Sequence, residues 1–82
     1  MNQDFPKISI IDTNTLAAIG LKQLLQNAVP MITVDTFSSM SDLMENNPEQ
    51  YIHYFVSLNI LLESRAFFIE NRRKTIVLSD LN

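Results

Sequence analysis

Side chains able to do chemistry are few in this chain, and they are widely spaced. Asp12, Thr13 and Asn14 follow a β-branched run, Ile8, Ile10 and Ile11, and precede a helical pattern. A carboxylate there stands at the C-terminal end of a strand, where open α/β sheets place their ligands. An Asp at a strand-to-helix turn is also commonly a helix cap, and Thr13 and Asn14 can serve in the same way. His53 is the single histidine and lies within the strand-like run Tyr51 to Leu58, so neither a Ser/His/acid set nor a histidine metal site is expected. There is no cysteine to supply a thiolate ligand. Gly20 is the single glycine, which excludes a glycine-rich phosphate or dinucleotide loop. Arg72, Arg73 and Lys74 form a cationic run that reads as a solvated helix end, able to touch an acidic partner or a phosphate. Phe67 and Phe68 read as core.

The elements that must position these residues alternate between two periodicities. Lys7 to Ile11 reads as a strand covered on both faces. Ala17, Leu21, Leu24, Leu25 and Ala28 recur on one face of a helix that runs from about Asn14 to Ala28 and ends before Pro30. Ile32 to Phe37 is a second strand, and Ser39-Met40-Ser41-Asp42 fits a capping box that opens a short helix around Leu43 and Met44. Asn46-Asn47-Pro48 closes that helix. Tyr51 to Leu58 is the clearest central strand. Ser64 can cap a third helix carrying Ala66, Phe67 and Ile69, whose cationic end suits the helix dipole. Thr75 to Ser79 is a fourth strand. The order βαβαβαβ predicts a parallel sheet with right-handed crossovers. Residues 1–6 read as a loose lead-in, with Pro6 setting the edge of the first strand.

Eighty-two residues bound this to one small domain, residues 1–82, and 46% apolar residues are enough for a core. A net charge of −3 argues against direct nucleic-acid binding. No apolar run reaches the length of a membrane span, and the first residues lack the apolar stretch of a signal peptide. The absence of cysteine agrees with a reducing, cytoplasmic setting.

The stretch IIDTNTLAAIGLKQLL resembles the opening of a receiver (CheY-like) domain of a two-component response regulator, of the type joined to a LuxR/FixJ-like DNA-binding domain. In that family the first strand ends in an acidic pair, and the following helix carries Gly-Leu and further leucines. Asp12 matches the first acid, Thr13 replaces the second, and Gly20-Leu21 with Leu24-Leu25 match the helix. Glycine in mid-helix costs roughly 1 kcal/mol relative to alanine and usually has a packing reason. The resemblance extends from Lys7 to Ser79 and implies a flavodoxin-like sheet of order 2-1-3-4. A receiver continues with another helix, a fifth strand and a last helix, so the chain resembles a truncated one. The segment from Asn59 to Glu63 departs from the family's Met-Pro loop, and the stretch up to the fourth strand is shorter.

The resemblance places Ser57 at the phosphoacceptor position, or Leu58 or Asn59 if the register shifts by one or two residues, none of them an acid, and Ser79 at the hydroxyl residue that ends the fourth strand. Receiver chemistry needs three carboxylates around one hard cation, which takes oxygen ligands and offsets charge on the phosphoryl group. Asp12 alone remains here. Asp12, Thr13, Ser57 and Ser79 therefore read as a vestigial phosphorylation site, with no metal, no cofactor and no enzymatic activity expected. The implied function is regulatory: a degenerate receiver acting in dimerisation or signal input of a transcriptional regulator. DNA would be bound only through a C-terminal helix-turn-helix domain, and this sequence contains none. The alternative is a small flavodoxin-like module holding a ligand near Asp12, Ser57 and Ser79. A bare fourth strand also predicts a homodimer or higher oligomer, by face-to-face packing of sheets in preference to pairing of edges.

Overall fold

The computed structural model describes residues 5–79; Met1 to Asp4 of the expected lead-in, and Asp80 to Asn82, lie outside the described residues. Four strands form one all-parallel sheet: β1 (Lys7–Ile11), β2 (Thr33–Phe37), β3 (His53–Ser57) and β4 (Thr75–Leu78). Their order is β2-β1-β3-β4, as expected. Helices α1 (Thr15–Ala28), α2 (Met40–Met44), α3 (Leu58–Glu63) and α4 (Arg65–Glu70) flank it, with a 3₁₀ turn at Pro48–Gln50. The molecule is an α/β sheet flanked by helices, of the flavodoxin-like kind.

β1 is central because its side chains are apolar on both faces. Ile8 and Ile10 point to one side with Val34, under Ala18, Leu21 and Leu25 of α1. Ile11 points to the other, with Leu43, Tyr51, Tyr54, Val56, Ile60 and Phe68. Ser9 is the one buried polar residue of this core, and its hydroxyl donates to the His53 carbonyl at 3.3 Å. The lead-in joins the sheet at Pro6, whose carbonyl accepts from the Thr33 N–H at 2.9 Å, although Phe5 and Pro6 themselves are exposed.

The inward face of α1 differs from the expected one. Ala18 is buried and Leu21 and Leu25 are half-buried, while Ala17, Leu24 and Ala28 face outward; Leu24 is 68% exposed. The helix is apolar on two stripes, so periodicity alone does not choose between them, and the sheet selects the stripe containing small Ala18. The Gly20 expectation also fails. Gly20 is exposed, and a Cβ built on it meets nothing within 4 Å.

Beyond β3 the expected single helix is two. α3 begins at Leu58 with no intervening loop, and Ser64, at φ −130° and ψ 44°, interrupts the helical path before α4. Ser64 holds the cap position of α4, but its side chain makes no capping hydrogen bond. Ser39 does cap α2, its Oγ accepting from the Asp42 N–H at 3.1 Å. Asn47 reaches φ 50°, a left-handed conformation open to asparagine, and so turns the chain into Pro48.

Candidate functional site

The C-terminal ends of the strands meet in a cleft of about 380 Å³, lined among others by Asp12, Thr13, Asn14, Ser57, Asn59 and Ser79. It lies at the switch point of the sheet, where the chain leaves β1 for β2 on one side and returns to β3 on the other. Parallel sheets leave a crevice at such a point because successive crossovers depart to opposite faces. All four residues singled out from the sequence, Asp12, Thr13, Ser57 and Ser79, line this one cleft.

Asp12 follows β1 directly, and its N–H donates to the Phe37 carbonyl at 3.0 Å, extending the ladder by one rung. Its carboxylate accepts from the Asn14 N–H at 2.9 Å, an Asp-centred turn that folds the chain back toward α1. The helix cap is Asn14, whose Oδ1 accepts from the Ala17 N–H at 3.1 Å. Capping by Asp12, the common fate of such a residue, is therefore replaced by bracing of the turn. Thr13 is exposed at the apex of the turn.

Ser57 closes β3 and stands at the cap position of α3 without making a capping bond. Its Oγ is buried and has no hydrogen-bond partner. A hydroxyl in that state forgoes the bonds it would make in water, a cost of about 1–3 kcal/mol. Asn59 joins the cleft from the first turn of α3. From the sequence it entered only as a residue that a shift of register would bring to the phosphoacceptor position, because the immediate start of α3 after β3 has no local signal of the glycine or proline type. Asp42 and Asp12 both line a second hollow of about 220 Å³ on the β2 side, with Thr36 and Ser38.

The cleft thus offers one carboxylate among hydroxyls and amides. Among the described residues no group of three or more His, Cys, Asp or Glu side chains could hold a metal ion. His53 opens β3 at the end opposite Ser57, so it takes no part in the cleft; its Nδ1 is buried without a partner. No helix among the described residues is long and apolar enough to cross a membrane. The electrostatics of the core are concentrated in two tyrosines below β2 and β3. The Tyr51 hydroxyl donates to Asp35 at 2.7 Å, and burial together with that carboxylate pushes its pKa well above the usual tyrosine value. The Tyr54 hydroxyl donates to the Pro48 carbonyl at 2.6 Å, and burial, then the charge of Glu49, raises its pKa as well. Compared with protein-family models, curated proteins and solved structures, the chain matches none.

Proposed function

We propose that the chain is a regulatory, non-enzymatic module: a degenerate receiver, not switched by aspartyl phosphorylation, serving dimerisation or signal input of a cytoplasmic transcriptional response regulator. The observation that carries this reading is the cleft at the strand ends. It gathers Asp12, Thr13, Ser57 and Ser79 at the switch point, with a hydroxyl at the end of β3 and a single carboxylate beside it. A phosphoryl-accepting site needs a carboxylate nucleophile and a cation held by further carboxylates. With Thr13 and Ser57 in those places the module signals through its surfaces, and any DNA contact belongs to another domain. Acetyl phosphate, or beryllofluoride with Mg²⁺, is expected to leave mass and spectra unchanged. A hydroxylamine-sensitive phosphoryl adduct would overturn the reading.

A second reading is favoured by the unpartnered Ser57 Oγ. A small polar ligand in the cleft would satisfy that hydroxyl and stabilise the fold by mass action. Thermal shift against nucleotides and small anions separates the two readings, since a dead receiver shows none.

A further inference from the structure

The charge of this chain is unevenly placed. Residues 65–74 hold four of the six lysines and arginines, Arg65, Arg72, Arg73 and Lys74, against one of the nine carboxylates, Glu70. The whole chain nevertheless carries −3. This cationic segment leads into the edge strand. Among the described residues β4 has β3 on one side and no strand on the other, so its outer N–H and C=O groups face outward.

Beside that edge lies an apolar groove of about 340 Å³ between α3, α4 and β4. Leu61, Phe68, Ile69 and Val77 supply its apolar walls, and its two charged lining residues are Arg65 and Arg72. Ile69 is 60% and Val77 46% exposed. Lys74 is engaged, with its Nζ 3.4 Å from the Tyr54 hydroxyl and 4.9 Å from that ring's centre. Arg72 uses one nitrogen on the Ile69 carbonyl, at 3.2 Å. Among the described residues neither arginine of the groove hydrogen-bonds a carboxylate.

We propose that the β4 edge binds an extended acidic and apolar segment of another protein as an added strand. Its main chain pairs with β4. Alternate side chains then fall on the groove side, about 5 Å from Thr75 and Val77, and cover the exposed apolar wall. Carboxylates on the same segment meet Arg65 and Arg72, whose planar guanidiniums donate paired N–H bonds to them. A second copy is the poorer occupant, since joining two β4 edges gathers both cationic segments along one seam. The proposal goes beyond the reading of the strand-end cleft, uses a different surface and does not depend on it.

The test uses the full chain, isotope-labelled, and short fluorescent peptides. A peptide with threonine at every second position and valine and aspartate taking turns between them, so that both lie on one face, is expected to bind saturably and to shift the amides of Ile76, Val77 and Leu78. The same peptide interrupted by proline, and one with lysine in place of each aspartate, are expected to bind roughly tenfold more weakly or worse, as is the acidic peptide to an Arg65→Gln, Arg72→Gln variant. Circular dichroism confirms that the variant folds. Equal binding of the lysine peptide, shifts confined to other elements, or no binding at all overturns the proposal. β4 shifts that follow protein concentration without peptide, and that persist in an Ile76→Lys variant, assign the edge to a second copy. The same shifts with a single-stranded oligonucleotide, lost in the variant, assign it to phosphates. Either result also overturns the acidic partner.

Discussion

At the scale of single residues, Gly20 and Tyr51 carry opposite lessons. Gly20 lies within α1 with open space where a Cβ would go and no left-handed backbone to excuse it. Gly20→Ala is therefore expected to stabilise the fold by about 0.5–1 kcal/mol, through the lower backbone entropy of alanine in the unfolded chain. Urea unfolding monitored by circular dichroism checks this. Tyr51 is tied to Asp35 and packs edge-on against Phe37, with ring centres 5.9 Å apart. Tyr51→Phe removes the donor from a half-buried carboxylate and should cost about 1–3 kcal/mol at neutral pH. The raised pKa values of Tyr51 and Tyr54 also fix the sign of an alkaline effect. Below pH ~10 both rings are neutral in folded and unfolded chains alike, and the stabilising difference is fully present. Above it the unfolded chain releases protons that the folded one retains, so stability falls as pH rises. Tyr51→Phe should flatten that fall, measured as the slope of unfolding free energy against pH between neutral and strongly alkaline buffer.

At the scale of elements, the strands were legible in the sequence and the helices only partly so. β1 and β3 carry apolar residues on both faces, the pattern of strands covered on both sides in a parallel sheet, although the edge strand β4 shares it through Ile76, Val77 and Leu78. Ile10 and Val56 are fully buried, so Ile10→Ala or Val56→Ala should each cost roughly 1–4 kcal/mol in equilibrium unfolding. α1 was legible as a helix, but its inward stripe was not, because Leu16 and Leu24 are as apolar as Leu21 and Leu25, and the choice between stripes is made by the sheet. α3 escaped reading altogether: its boundary with α4 is a change of backbone angle at Ser64, which a serine does not announce as glycine or proline would. The same holds for the cleft. Asp12 and Thr13 announced themselves by their place after β1, Ser57 and Ser79 entered by resemblance, and Asn59 depended on a helix that no local signal marks.

At the scale of the whole molecule, the two faces of the sheet are unequally covered. α3 lies against β3 and β4 on one side, whereas α1 on the other side packs chiefly over β1 and β2. Phe55 and Leu78 are left half-buried there and Ile76 is 40% exposed, while α1 shows Leu16 and Ile19 at 83% and 49% exposure. Apolar surface of this kind on the sheet favours a second copy packed face to face. Light scattering across micromolar concentrations is expected to show a mass rising above 9.4 kDa, and Ile76→Lys should lower it. A mass that stays at the monomer value at every concentration would remove this arrangement.

The parallel sheet also governs how the chain is made. No strand pairs with a neighbour through a hairpin: Ile8 pairs with Val34 and His53, and Tyr54 with Thr75, each across a crossover. Local contacts therefore give little early reward, and the loops must close before the ladders form. β1 leaves the ribosome first, yet it is the strand with most to bury, and its inner partner β3 is synthesised only after α1, β2 and α2. For that interval the nascent chain carries an isoleucine-rich strand whose β3 edge stays open. The centre of the finished core is thus the segment most in need of a chaperone during translation.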